Sequence, residues 1–508
     1  MKITLDGSSL NADLVSEIAL SKEQITFEIP DHWKKKILEA QEYIQSIINR
    51  DDTVYGINTG FGALSDKNID KSDLKKLQIN LVRSHCTGVG KPFDRQTVRA
   101  IMLIRANCLI KGYSGISLET LELLFKFLQL DINPHIPSQG SVGASGDLAP
   151  LAHMALTLIG EGQVYYKDKL RPTMDVLNEL KLTPVILGPK EGLALINGTT
   201  VMNAIGAISL VRAKKIFKLV DISAAMTIEG LQGSSKPFDL DLIKLKPHLG
   251  MIDVAQNLNK LLSDSDISES HENCGKVQDP YSLRCLPQIH GACRQTLYHT
   301  EEVINIEINS ITDNPLIFVK ENKVLSGGNF HGEALALTMD YLAMGLSELS
   351  SVLERRVEKM MNPTFSELPA FLIESSGLNS GLMIAHVTVA ALASENKTYC
   401  FPASVDSIPT STDKEDHVSM GITSGLKLAK ILNNLEYCLA IEFLCNTQAL
   451  DFLDHTTSPV LQAVHLLIRS KVPPITEDRV FSVDIENINN MIKTDLILNT
   501  IKDQIDLK

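Results

Sequence analysis

The chain has 508 residues, 44% of them hydrophobic and 21% charged, with a formal net charge of −13. That length exceeds one compact core, and the apolar content excludes a disordered chain. An acidic balance, with no Lys/Arg cluster interleaved with aromatics, speaks against nucleic acid as a partner, and no uncharged apolar run reaches the roughly eighteen residues that a membrane span needs.

Met1 to Leu20 reads as neither a signal peptide nor an Arg-rich transit sequence. The eight cysteines (Cys86, Cys108, Cys274, Cys285, Cys293, Cys400, Cys438, Cys445) contain no Cys-x-x-Cys pair. Both features predict a protein of the reducing cytoplasm, its thiols free.

The first two hundred residues alternate short helical segments with glycine-rich loops, of which Tyr55 to Gly62 and His85 to Gly90 are the clearest. Leu118 to Leu130 is a short apolar helix closed by Asn133-Pro134. The next glycine-rich stretch, Gly140 to Pro150, holds the tripeptide Ala144-Ser145-Gly146. If the Gly146 amide nitrogen attacks the Ala144 carbonyl carbon, a five-membered ring closes, and loss of the Ser145 hydroxyl leaves an exocyclic methylidene. Such a bend needs residues with little side chain, which Gly140, Gly143, Ala144 and Gly146 supply. Pro150 suits the first turn of a helix over Leu148 to Leu158, whose positive end would face the ring.

From about Val201 onward the pattern changes to long helices: Met202 to Glu229, Glu333 to Met361 and Ser424 to Phe452. In the second, Leu335, Met339, Leu342, Leu346, Leu349, Leu353, Val357 and Met360 recur at three- and four-residue steps up to Asn362-Pro363, the stripe of a bundle helix. Leu316 to Val319 reads as one of few strands. The expected division is a domain over 1–200 with the Gly-rich loops and a helical-bundle domain over 201–508.

Several chemistries fail on spacing. Asp147 stands where the last glycine of a Gly-x-Ser-x-Gly elbow belongs, so Ser145 is not a hydrolase nucleophile. Pro92 after Gly90-Lys91, with His85 at the upstream glycine position, excludes a P-loop. His331-Gly332-Glu333 has the His-x-Glu shape of a zinc deaminase without the following Pro-Cys-x-x-Cys, and no other histidine shows ligand spacing, so no metal is expected.

What remains is a set of polar segments far apart in the chain: YGINTGFG (55–62), GASGDLAPL (143–151), EGLALINGT (191–199), VQDPYSLRC (277–285), Asp313-Asn314-Pro315, GGNFHGE (327–333), NSGLMIAH (379–386) before ASENK (393–397), and EDHVSM (415–420). With these motifs, along essentially its whole length, the chain resembles the histidine ammonia-lyases of the aromatic amino-acid lyase family, which make a methylidene-imidazolone (MIO) group from an Ala-Ser-Gly triplet. The resemblance implies a mainly α, aspartase/fumarase-like fold, with a long-helix bundle and a smaller N-terminal domain carrying the MIO loop. It implies no dissociable cofactor, L-histidine as substrate, and a homotetramer with sites built from more than one subunit.

Ammonia elimination needs the amine made a leaving group and a base for the β-proton. By the resemblance, Ala144, Ser145 and Gly146 form the electrophile, Tyr55 and Tyr281 transfer protons, and Arg284 clamps the carboxylate with Asn197 and Gln278 beside it. Phe330 packs against substrate or ring. His85 and Glu415 meet the imidazole, Glu415 either holding a ring nitrogen or acting as base. Relatives acting on phenylalanine carry an apolar pair in place of Ser84-His85, and some tyrosine lyases share Ser-His, so Glu415 is the sharper marker of histidine. Two departures are Thr200 and Lys414, each where many histidine lyases have Gln; Lys414 either pairs with Glu415 or points to solvent. The competing readings are a tyrosine ammonia-lyase or aminomutase, and an inactive structural paralogue.

Overall fold

The computed structural model describes residues 2–23, 25–50, 53–60, 62, 67, 69–270 and 277–508. Phe61 of the YGINTGFG loop and Cys274 lie outside them. The chain folds into two compact units, each of three segments: Met1–Val211, Thr300–Asp340 and Pro402–Leu426 make the first, and Arg212–His299, Tyr341–Phe401 and Lys427–Lys508 the second. The chain therefore passes between units repeatedly rather than once near residue 200, and four of the five crossings fall inside helices: Thr200–Gly230, Leu286–Ile308, Glu333–Met361 and Gly421–Leu450. The helical pattern runs unbroken through each of these points, so such crossings leave no mark in the sequence.

The first unit is built around the Arg95–Leu109 helix, buried from Thr97 to its end. Asp94 starts that helix by accepting the Thr97 N–H, and Ser117 caps Leu118–Gln129 in the same way through Thr120. Strands are short and paired in twos and threes: Lys2–Thr4 parallel to Thr26–Glu28, Val89–Pro92 antiparallel to Pro137–Gln139, Asn133–Pro134 beside the Gln163–Tyr166 and Lys169–Pro172 hairpin, and the Leu316–Phe318 hairpin with Lys323–Leu325. Asn133-Pro134, expected only to end a helix, thus also supplies a strand. The Leu148–Leu158 helix forms over its expected residues.

Helices dominate the second unit, and the apolar stripe of Glu333–Met361, six of whose positions (Leu342 to Met360) belong to that unit, is buried at all eight. Ionic groups are buried in the same unit. Asp221 accepts from His290 Nδ1 at 2.9 Å, Arg294 Nη2 at 2.7 Å and Asn257 Nδ2 at 2.8 Å. Arg356 donates to Glu442 at 2.5 Å and to His290 Nε2 at 3.1 Å, and Ser223 donates to Glu442 at 2.7 Å. With Nε2 accepting, His290 carries its proton on Nδ1 and is neutral, and burial holds its pKa below the usual histidine range. Removing one member of such a network strands the other charge without water. Glu442→Ala is therefore expected to cost about 3–5 kcal/mol of stability, read as a lower urea midpoint in chemical denaturation.

Candidate active site

Glycine at 146 and 198 is dictated by contact. Gly146 has φ +72°, and a Cβ there would lie 2.1 Å from the Gly198 carbonyl oxygen. Gly198, at φ +136°, would place its Cβ 2.5 Å from Thr312 Oγ1. The two backbones pair in parallel, Asp147 N–H donating to Gly198 O at 2.8 Å and Gly198 N–H to Ser145 O at 3.3 Å. Asp147 does not cap the helix it precedes. Its buried carboxylate instead accepts the Val201 and Met202 amides, at 2.7 and 2.9 Å, which open Thr200–Gly230. Burial pushes the Asp147 carboxyl up to about 7, against the amides of Met202 and Val201, which favour its charged form.

The rest of the loop is tied just as closely. Ser419 Oγ donates to Gly143 O at 3.2 Å, Met420 N–H to Val142 O at 2.8 Å, and Ser141 Oγ to Gly146 O at 3.3 Å. Ala144 is buried against Val418 and Met420. The Ala144 carbonyl and the Gly146 N–H form no hydrogen bond with a described residue. These are the two groups that ring closure would join, and a tripeptide held at both flanks with them unengaged fits formation of an MIO group.

Ser145 faces a cavity of about 730 Å³ whose described lining residues all belong to the first unit, including Tyr55, Asn80, Ser84, His85, Leu193, Asn197 and Glu415. Ser145 Oγ donates to Glu415 Oε1 at 2.8 Å, while Thr410 Oγ1 donates to Glu415 Oε2 at 2.7 Å. Thr410 and Glu415 also pair through their backbones around a turn in which Ser411, Thr412 and Asp413 all have positive φ. His85 ends the Leu74–His85 helix with Nδ1 2.8 Å from the Leu81 carbonyl; since a carbonyl only accepts, Nδ1 carries the proton and Nε2 a lone pair. The Tyr55 hydroxyl accepts the Gly62 N–H at 3.5 Å. Asn197 is buried, and its Oδ1 has no partner among the described residues. A buried amide oxygen left unpaired on a cavity wall is where a ligand donor belongs.

Of the expected site residues, the structure thus gathers Tyr55, His85, Ser145, Asn197 and Glu415 around one cavity. Phe330 is half-buried and is not among its described lining residues. Gln278, Tyr281 and Arg284 belong to the second unit. There the Arg284 guanidinium lies 4.3 Å from the Tyr281 ring centroid and its Nε donates to Asp279 O at 3.0 Å, while Gln278 and Tyr281 are exposed. Lys414 is exposed and makes no ion pair with Glu415, whose two oxygens are taken by Ser145 and Thr410. Thr200 is buried at the start of its helix. Sequence reasoning missed Asn80 and Thr410. Asn80 stands one helical turn before Ser84, a signal that could have found it; nothing in the sequence marks Thr410.

The family model for aromatic amino acid lyases matches residues 10–470. A histidine ammonia-lyase of Myxococcus xanthus is 46% identical over 502 residues, 99% of this chain and 98% of that protein. Among solved structures, the histidine ammonia-lyase of Trypanosoma cruzi superposes with a TM-score of 0.92 at 43% identity, covering 100% of this chain and 96% of that one. A tyrosine aminomutase of Streptomyces globisporus reaches 0.93 at 36% identity, with 100% of both chains covered. The fold is the mainly helical, aspartase/fumarase-like one expected from the motifs. With its glycine-crossed Ala-Ser-Gly loop facing a cavity, and with these likenesses along its full length, the chain belongs to the aromatic amino acid lyase family.

Proposed function

We propose that this protein is a histidine ammonia-lyase, eliminating ammonia from L-histidine to give trans-urocanate, the first step of histidine degradation. The observation that carries the reading is Glu415, inside the cavity and 2.8 Å from Ser145 Oγ. The Glu415 carboxylate or the His85 Nε2 lone pair can accept the single N–H of a neutral imidazole, and together they would hold both N–H groups of an imidazolium, whereas a phenyl ring offers them no donor. The higher identity to histidine lyases than to the tyrosine aminomutase points the same way.

The family depends on MIO, and the group, formed here from Ala144, Ser145 and Gly146, supplies an electrophile that makes the substrate amine a leaving group. The chain's own residues do the remaining work. Tyr55 lines the cavity as the β-proton acceptor, with Tyr281 as a second hydroxyl for proton transfer. The unpaired Asn197 Oδ1 accepts from a substrate donor, and Arg284 with Gln278 holds the carboxylate, the planar guanidinium matching two oxygens. Phe330 packs at the edge of the site.

Homotetramer assembly with shared sites belongs to the same reading. Leu378, Ile384 and Val387 of the second unit are 88%, 63% and 56% exposed, more apolar surface in one short stretch than a monomer ordinarily leaves open. Gln278 and Tyr281 are exposed in that unit, as residues offered to a shared site would be. We place the enzyme in the cytoplasm: seven described cysteines are free, and among the described residues no helix is long and apolar enough to cross a membrane.

Purified protein given L-histidine or L-tyrosine should produce urocanate absorbance from the first and little coumarate from the second; coumarate without urocanate overturns the substrate assignment. Intact-mass spectrometry should find the chain two waters lighter than its sequence, a deficit absent in Ser145→Ala together with the activity. Glu415→Gln should lower kcat for histidine by roughly 10²–10⁴-fold while the melting temperature stays near that of the parent.

A further inference from the structure

Behind the Ser145 loop, three groups converge that the reaction does not use. His331, Glu333 and His417, all of the first unit, bring one ligand atom each to within 4.8 Å of one another. The two imidazole planes are parallel within 2°, with centroids 5.8 Å apart. His331 Nε2 lies 3.3 Å from the His417 carbonyl. Because that oxygen can only accept, His331 carries its proton on Nε2 and a lone pair on the other nitrogen, the form in which a metal-bound histidine is usually held by a backbone carbonyl.

Glu333 adds an independent sign. Its Oε2 is buried and has no hydrogen-bond donor among the described residues. A carboxylate in the first turn of Glu333–Met361 gains from the helix dipole without any ion, yet a buried oxygen lacking a donor, beside two imidazoles, is a place for a cation. Gly332 between the ligands is fixed from behind, since a Cβ there would meet Met202 Sδ at 2.3 Å and Ser419 Oγ at 2.9 Å.

We propose that His331, Glu333 and His417 form a binding site for a borderline divalent transition ion of the Zn²⁺ class, with water completing the coordination. Two imidazoles and one carboxylate suit such an ion better than Mg²⁺ or Ca²⁺, which prefer all-oxygen sets. Ligand bonds of about 2.0–2.1 Å require ligand atoms roughly 3.4 Å apart in a tetrahedral site. Reaching that spacing requires the exposed His417 ring to move toward the other two groups when the ion binds. The bound ion would tie the start of the Glu333–Met361 helix to the 415–420 segment, two residues from Glu415.

The test uses the full-length enzyme, stripped with a chelator and titrated with Co²⁺ as a coloured probe. A visible d–d absorption saturating at one ion per chain is expected, resistant to a large excess of Mg²⁺. Replacing the exposed ligand, His417→Asn, should weaken binding by roughly tenfold or more, as should Glu333→Gln, whereas the exposed control His455→Ala should leave it unchanged. Thermal melting of each variant without metal shows that it is folded. Absence of a Co²⁺ spectrum in the parent, equal displacement by Mg²⁺, or an unaltered titration in folded His417→Asn overturns the site.

Discussion

The contact of Gly146 with Gly198 is the constraint on which the site rests. A Cβ on Gly146 would overlap the Gly198 carbonyl, and one on Gly198 would run into Thr312. The carboxylate of the adjoining Asp147 reaches the first amides of Thr200–Gly230. Three things are placed by that one crossing: Ser145 toward the cavity, Asn197 on its wall, and the start of a 31-residue helix. A loop that must bend against itself is costly to order, and here the surrounding bonds over-determine it, leaving unengaged only the groups that ring closure would use.

Around that loop the polar groups are shared sparingly. Before ring closure Glu415 receives one hydroxyl on each oxygen, from Ser145 and Thr410; loss of the Ser145 hydroxyl would free Oε1 for a ligand while Thr410 still holds Oε2. His85 is oriented by a carbonyl of its own helix, which settles its tautomer and directs acceptor character to Nε2. Both groups are thereby presented as acceptors to an N–H-bearing ring. Asn197 adds a third acceptor on the wall, its Oδ1 still unpaired.

In the second unit the long helices are held by an apolar stripe and by the Asp221, His290, Arg294, Arg356 and Glu442 network. The stripe is one part of the apolar burial that favours this packing. A charged network in such a place adds little net stability but accepts one arrangement only, since any slip leaves a charge unpaired in low dielectric.

Much of this was legible in the chain itself. Periodicity located Glu333–Met361, and a proline suited to a first turn located Leu148–Leu158, because an amphipathic repeat and a proline signal are local. The tripeptide announced its chemistry for the same reason: three adjacent residues suffice to write the ring closure. What the sequence could not show are the partnerships between distant segments. Asp147 precedes one helix and its side chain serves another; Thr410 carries no motif yet orients Glu415; Phe330 sits in a matching motif but off the described cavity wall; and His417 joins His331 from 86 residues away, beyond any ligand-spacing rule. The sequence by itself determined which elements form and which chemical groups are available, since both depend on neighbours along the chain. Only the tertiary structure decided which groups meet, because hydrogen-bond reach is a few ångströms in space and indifferent to separation in sequence.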